Sequence, residues 1–285
     1  MGDIIIGGSY LNRIRNRLVK MNFVYFFLTN VQYLYLNTHR PEKIQQKKDF
    51  FTNFKKSLTK DSKVYINLTG NSLYENRTRD KHCNPMTNSA FDESKQSRYY
   101  TDMTSLINFI INQYKAIGVS GEELSEKIII LPTLPRFIFT CCQNQTHIRQ
   151  DHKIIQDEIN TQQLKIQKEF TIKGVKIVNV ISIKHLLNYF ITRLKLKDIF
   201  VNDMDLIKKL TKKNFEFSFK NLCTNKKAQR IILKYILDGN DNGLHLKREY
   251  NHIWADYLFR LTQKDFNPHQ TATQHLKKLY DDNKN

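Results

Sequence analysis

The chain has 285 residues, enough for a sizeable core, and its 40% hydrophobic and 12% aromatic content excludes a disordered protein. With 46 Lys and Arg against 27 Asp and Glu, the formal net charge is +19, which favours attraction to nucleic acid or to an anionic membrane surface. A solvated basic surface explains the same charge, because the lysines and arginines recur along the whole chain.

The cysteines and the apolar stretches predict a soluble protein whose thiols are reduced. Cys141 and Cys142 are adjacent, and the four cysteines do not have the spacing of a disulfide framework. No stretch reaches the roughly 20 apolar residues that a membrane helix needs, and the apolar run 21–28 lies behind a separate apolar segment. We therefore expect an intracellular protein without a signal peptide or transmembrane segment. Cys142, His147 and His152 match no tight pair of zinc ligands, so neither a metal nor a cofactor is predicted.

Short apolar runs alternate with longer amphipathic segments, which is typical of a parallel sheet with helices on its faces. The predicted strands are Asp3–Ile6, Phe23–Leu28, Lys63–Leu68, Lys127–Leu131 and Val175–Val180. The predicted helices between them are Tyr10–Lys20, Lys43–Leu58, Thr104–Ile117 and Ile154–Glu169, with Thr104 as an N-cap. The chain then becomes mainly helical, over 183–194, 203–212, 226–237 and 247–261.

Segments 74–97 and 143–151 lack periodicity and are predicted as long loops. The resulting organisation is a single domain over 1–264, with a polar insertion at about 74–97 and a helical insertion at about 183–240. A polar tail, 265–285, follows it.

The first motif places a serine after a strand. Asp3–Ile6 runs into Gly7 and Gly8, and Ser9 then opens a helix, where free backbone N–H groups would stabilise an oxyanion. A helix-capping serine explains the same pattern and is the commoner case.

Two further motifs follow later strands. Asn71 lies in the turn 69–72, where its amide could donate to an oxyanion, although turn asparagines are common. The strand Lys127–Leu131 leads into a Pro-rich segment, 132–136, which would emerge at the same edge of a parallel sheet.

The last motif places His245 ahead of the final predicted helix, with Asp241 and Asn242 shortly before it. A histidine can act as a general base when a carboxylate fixes its tautomer. A surface or capping histidine is the plainer interpretation of this motif taken alone.

Taken together and in this order, the motifs resemble the SGNH, or GDSL-like, hydrolase family over residues 3 to about 260. Gly7-Gly8-Ser9 is similar to the Gly-Asp-Ser turn of its nucleophile, with Gly8 where the aspartate usually stands. Asn71 matches the family's oxyanion asparagine, and His245 its catalytic histidine. Asn242 stands where the Asp-x-x-His motif has its aspartate. The chain has no glycine between Gly8 and Gly70, so the glycine of the family's second block has no counterpart.

The resemblance implies a three-layer α/β/α sandwich, SGNH/flavodoxin-like, with a central parallel sheet of about five strands. It also implies a serine esterase or acyl hydrolase acting on a small ester. Ser9 would be the nucleophile, His245 the base, and Asp241 or Asn242 the orienting group, with the Ser9 N–H and Asn71 forming the oxyanion hole. Asn242 in place of an aspartate puts full activity in doubt.

The alternative is a binding module on the same scaffold, with catalysis weakened and the basic surface used on RNA or DNA. The candidate contacts are basic side chains of the later helices: Lys208, Lys209, Lys212, Lys213, Lys226, Lys227 and Arg230.

Overall fold

The computed structural model describes residues 2–28, 41–68, 93–131, 139–142, 145–148, 151–179, 205–206, 209, 225–236 and 246–261. The chain divides into two compact units. The first comprises Met1–Pro135 and Thr140–Ile181, and the second comprises Arg136–Phe139 and Ser182–Asn285. The predicted single domain over 1–264 stays a prediction, because the insertions at 74–97 and 183–240 fall mostly outside the described residues, as does the whole tail, 265–285.

Seven strands are present in the described ranges. They are β1 (Ile4–Gly7), β2 (Val24–Phe27), β3 (Val64–Asn67), β4 (Ile128–Ile130), β5 (Phe139–Cys142), β6 (Gln145–Ile148) and β7 (Val178–Asn179).

A parallel sheet forms the centre of the first unit. Its strands lie in the order β2-β1-β3-β4, and the two-residue β7 pairs in parallel with the outer side of β4. Gly7 is in register with Phe27 on one side and with Asn67 on the other. The carboxyl ends of these strands therefore meet at one edge, as the sequence predicts, and the mixed α/β class with a parallel sheet is confirmed.

The helices are α1 (Ser9–Asn12), α2 (Arg15–Lys20), α3 (Pro41–Ser57), α4 (Glu93–Ala116), α5 (Asp151–Ile172), α6 (Lys226–Ile236) and α7 (Asn251–Leu261). Two short 3₁₀ turns, Gly121–Leu124 and Arg248–Tyr250, precede β4 and α7. None of these helices, within the described part of the chain, is long and apolar enough to cross a membrane.

Helix α3 begins and ends where its sequence favours it. Pro41 occupies the first helical position, where the missing N–H costs nothing, and Glu42 lies in the first turn beside the positive end of the helix dipole. Lys55 and Lys56 lie in the last turn, beside its negative end.

Four sequence-based predictions are wrong in the described part of the chain. The single helix predicted over Tyr10–Lys20 is two helices, because α1 ends at Asn12 and α2 begins only at Arg15. Thr104 lies inside α4 and does not cap it, since α4 begins at Glu93 and replaces the end of the loop predicted over 74–97. The loop predicted over 143–151 contains β6, which pairs with β5 in a two-stranded sheet. Gln145–Ile148 has one apolar residue, so hydrophobic alternation could not reveal this strand.

The core of the first unit lies between one face of the sheet and helices α3, α4 and α5. Alternate strand residues such as Ile4, Ile6 and Ile66 are fully buried and belong to one cluster with side chains of these helices. The intervening residues Ile5 and Tyr65 are each 1% exposed, so the other face is covered too. Burial on both faces is characteristic of a parallel sheet and explains why β1, β3 and β4 are mainly apolar.

Candidate active site

The turn that carries Ser9 is a tight strand-to-helix connection. Strand β1 ends at Gly7, Gly8 is buried, and α1 begins at Ser9. The Asn12 N–H donates to the Gly8 carbonyl at 3.1 Å, which closes the single turn of α1 over the strand end. The backbone of Ser9 is therefore held two residues beyond the carboxyl end of β1.

Gly7 is required by packing. A Cβ atom at Gly7 would lie 2.4 Å from Cδ1 of Leu11 and 3.0 Å from the carbonyl oxygen of Asn67. Leu11 is completely buried, so it has no room to withdraw. The glycine before the serine turn thus lets α1 pack directly onto the sheet.

The position of this turn in the sheet has chemical significance. In the order β2-β1-β3-β4, the strand that follows β1 in the chain is β2, on one side of the central pair β1 and β3. The strand that follows β3 is β4, on the other side of this pair, so the two connections run in opposite directions along the sheet. Open parallel sheets bind their ligands outside the carboxyl ends of two such neighbouring strands, at the topological switch point. Ser9 follows β1 at this point, and the segment that contains Asn71 follows β3.

The helix dipole at Ser9 is weaker than the sequence predicts. Helix α1 has only four residues, and the dipole at a helix end grows with the number of aligned peptide units. Stabilisation of an anion at Ser9 would therefore rest on individual N–H donors and on their orientation.

Tyr25 of β2 supports the serine turn, which the sequence does not reveal. Its hydroxyl donates to the carbonyl oxygens of Gly7 at 3.3 Å and of Gly8 at 3.4 Å. Burial raises the pKa of the Tyr25 hydroxyl well above its ordinary value, and the charge of Arg15 opposes that shift. The hydroxyl therefore keeps its proton and remains a donor at any physiological pH.

Asn67 is a second residue that sequence patterning passes over. It is the last residue of β3, it is 1% exposed, and it lies in register with Gly7. A polar side chain at a buried strand end, where the neighbouring positions are apolar, is the signal that could have found it, because such groups are retained when they are hydrogen-bonded.

The other residues predicted for the active site lie outside the described residues. These are Asn71, Asp241, Asn242 and His245. Leu246, which follows the predicted histidine, is buried, and the Lys247 N–H donates to the Ile236 carbonyl at 2.9 Å. Ser9 belongs to the first unit and position 245 to the second. The pairing of Ser9 with His245 therefore stays a prediction.

The predicted nucleic-acid contacts are partly described. Lys209 is helical and exposed, and Lys227 is exposed on α6. Lys226 and Arg230 also belong to α6, whereas Lys208, Lys212 and Lys213 fall outside the described residues. Among the residues that are described, no group of three or more His, Cys, Asp and Glu side chains is arranged to hold a metal ion.

Comparison of the chain with protein-family models, with curated proteins and with solved structures finds no match in any of the three.

Proposed function

We propose that the protein is a serine ester hydrolase of the SGNH type. The observation that carries this proposal is the Gly7-Gly8-Ser9 turn, which follows β1 at the topological switch point of a parallel sheet. A serine there is next to the crevice in which such sheets bind ligands. The proposed full architecture is a three-layer α/β/α sandwich with β7 as the fifth strand, in an intracellular protein.

The proposed chemistry follows from the residue types. Ser9 Oγ forms a bond to the ester carbonyl carbon while His245 takes the hydroxyl proton. The Ser9 N–H and the Asn71 amide hold the resulting oxyanion. The C–O bond to the alcohol then breaks, and His245 returns the proton to the leaving oxygen. Water, activated by the same histidine, releases the acid from Ser9.

Either Asp241 or Asn242 orients the histidine in this scheme. A carboxylate holds the imidazole in the tautomer that accepts a proton from serine, whereas an amide does so poorly. Asp241→Asn is therefore expected to reduce ester hydrolysis by orders of magnitude if Asp241 is the partner, with Asn242→Ala nearly silent. The opposite ranking would assign the role to Asn242.

The proposal is tested by covalent labelling with a fluorophosphonate. Wild type should be labelled and should hydrolyse short p-nitrophenyl esters, whereas Ser9→Ala should do neither. Ser125→Ala is a matched control, because Ser125 is partly exposed and lies just before β4, at the opposite edge of the same sheet. Absence of labelling and of hydrolysis in wild type would rule out the enzyme.

A second function, nucleic-acid binding, is favoured by the amphipathic arrangement of α6. Ala228, Ile232 and Ile236 are completely buried and recur every four residues, so they define the inner face of the helix. Positions 226, 227 and 230, all basic, fall on the opposite side by helical geometry. Such a row of cations can neutralise successive phosphates.

Binding of single-stranded RNA at two salt concentrations tests this function. An affinity that falls steeply as salt rises indicates release of counterions from the phosphates. Replacing Lys226, Lys227 and Arg230 by alanine should weaken binding and flatten its salt dependence. The control replaces the exposed Lys48, Lys55 and Lys56 of α3, which removes the same charge elsewhere. Equal losses in the two triple variants would refute a specific role for α6.

A further inference from the structure

We infer that Tyr25 is a positioning residue, whose hydroxyl fixes the orientation of the peptide group between Gly8 and Ser9. This inference rests on the proposed function and goes beyond it. This peptide group matters because of what its two polar groups do. Its carbonyl, that of Gly8, accepts the hydrogen bond from Tyr25, and its N–H, that of Ser9, is the proposed oxyanion donor.

The hydrogen bonds around this turn form a connected set. The Gly7 carbonyl accepts the Leu28 N–H at 2.9 Å, and the Gly8 carbonyl accepts the Asn12 N–H at 3.1 Å. The Tyr25 hydroxyl lies within 3.3 and 3.4 Å of the same two oxygens. The Tyr25 side chain therefore bridges the end of β1 and the start of α1.

The contact acts on the N–H of Ser9 in two ways. First, a donor on the Gly8 carbonyl resists rotation of the peptide plane, which sets the direction in which the Ser9 N–H points. Second, a carbonyl that accepts hydrogen bonds polarises its peptide, so that the N–H at the other end becomes a stronger donor. Both effects favour the transition state of ester attack, in which negative charge develops on the oxyanion.

The two distances limit the size of the effect. Both are long for an O–H···O hydrogen bond, and a single hydroxyl proton is shared between the two carbonyls. Loss of such a contact is expected to slow the reaction by about three- to tenfold, well short of the effect of removing an oxyanion donor itself.

Tyr25→Phe is the test, because it removes the hydroxyl and keeps the ring. Tyr65→Phe is the matched control. Tyr65 is a buried tyrosine of the same sheet, and its hydroxyl donates to Oδ2 of Asp3, at the amino edge far from Ser9. Each variant loses one part-buried hydroxyl that donates a hydrogen bond, so a purely structural effect should appear in both.

The expected result is a split between kinetic constants. In Tyr25→Phe, kcat for p-nitrophenyl acetate and the rate of fluorophosphonate labelling fall about three- to tenfold, with KM unchanged and with complete labelling at the end point. In Tyr65→Phe, both rates stay within about twofold of wild type. Thermal unfolding of both variants reports any loss of stability separately.

Several outcomes would overturn the inference. They are an unchanged kcat in Tyr25→Phe, an equal fall in both variants, or a loss of the folded state that is confined to Tyr25→Phe. A wild-type protein without Ser9-dependent labelling would instead refute the hydrolase proposal, so the two failures are distinguishable.

Discussion

At the scale of single residues, close approach of backbone and side chain decides the geometry of the serine turn. Gly7 has no side chain, and the space that a Cβ atom would need is occupied by Leu11 and by the Asn67 carbonyl. Leu11 belongs to α1, so the same contact fixes the direction in which the helix leaves the strand. A glycine at this position is therefore a packing requirement as well as a turn signal.

Gly7→Ala is expected to reduce the free energy of unfolding by about 1–3 kcal/mol, because an added methyl group must displace buried neighbours. Urea unfolding followed by circular dichroism measures this change. Leu11→Ala alone is also expected to destabilise the protein, because it leaves a cavity.

The double variant that combines Gly7→Ala with Leu11→Ala shows whether Gly7→Ala destabilises the protein through its clash with Leu11 or through the backbone conformation at position 7. Shortening Leu11 removes the two closest contacts of the added methyl group and leaves the Asn67 carbonyl at 3.0 Å, so Gly7→Ala should cost less in the Leu11→Ala background than in wild type. Additive effects of the two changes would show that the contact with Leu11 is not the reason for the glycine.

At the scale of elements, an aromatic cluster joins α3 and α4 to the sheet. The rings of Phe50 and Phe54 lie 5.6 and 5.7 Å from the ring of Phe26, measured between centroids. Phe109 of α4 lies 5.3 Å from Phe54 and 4.9 Å from Phe51. Because the cluster spans a strand and two helices that are distant in sequence, it couples local helix formation to the tertiary fold.

Phe54→Ala should be among the most destabilising single changes in the first unit. Phe54 is completely buried, and truncation of such a ring typically costs about 3–5 kcal/mol. Phe27→Ala is the comparison, because Phe27 is 52% exposed on β2 and its truncation should cost less than about 1 kcal/mol. Similar losses of stability for the two variants in urea would contradict the packing described for α3.

At the scale of the first unit as a whole, three tyrosines tie stability to alkaline pH: Tyr65 and Tyr114 are buried, and Tyr25 is half-buried. Burial raises the pKa values of Tyr25, Tyr65 and Tyr114 above the ordinary value, and the charge of Asp3 adds to the shift for Tyr65 and Tyr114. The Tyr114 hydroxyl also donates to the Ser62 carbonyl at 2.6 Å. In the unfolded chain, these groups would ionise near pH 10.

The sign of the pH dependence follows from these shifts. Below about pH 10, the three hydroxyls are protonated in both states and their contribution to stability is fully present. Above it, the unfolded chain loses protons that the folded unit keeps, so the free energy of unfolding falls as pH rises. Tyrosinate absorbance should show at least three of the 14 tyrosines ionising only together with unfolding.

Phenylalanine variants check the assignment of these groups. Each of Tyr25→Phe, Tyr65→Phe and Tyr114→Phe should remove one tyrosine from the fraction that ionises late. If all 14 tyrosines titrate in a single step near pH 10 while circular dichroism remains native, the burial of these three hydroxyls is refuted.

Several features could be predicted from the sequence because they depend on local patterns. The five apolar runs are short, and amphipathic segments separate them, so periodicity alone predicts parallel strands that alternate with helices. Each predicted strand contains or overlaps an observed one. Gly7, Gly8 and Ser9 follow the first run directly, so the position of the serine after a strand is also a local property.

Helix boundaries depended on more than local pattern. Thr104 resembles a cap because the residues after it have clear helical spacing, yet α4 extends back to Glu93. Its Oγ1 atom is buried without a hydrogen-bond partner in the described part of the chain. A polar stretch such as 93–97 has weak apolar periodicity, so a helix there leaves little trace in the sequence.

The sequence by itself determined the class of the fold and the position of Ser9, two residues beyond the end of β1. Only the tertiary structure decided that β1 lies between β2 and β3, which brings Ser9 to the switch point of the sheet. It also decided that Tyr25, distant from Ser9 along the chain, donates to the turn before it. The physical reason is that strand order and the reach of a side chain across strands depend on contacts between distant segments, which hydrophobic periodicity does not encode.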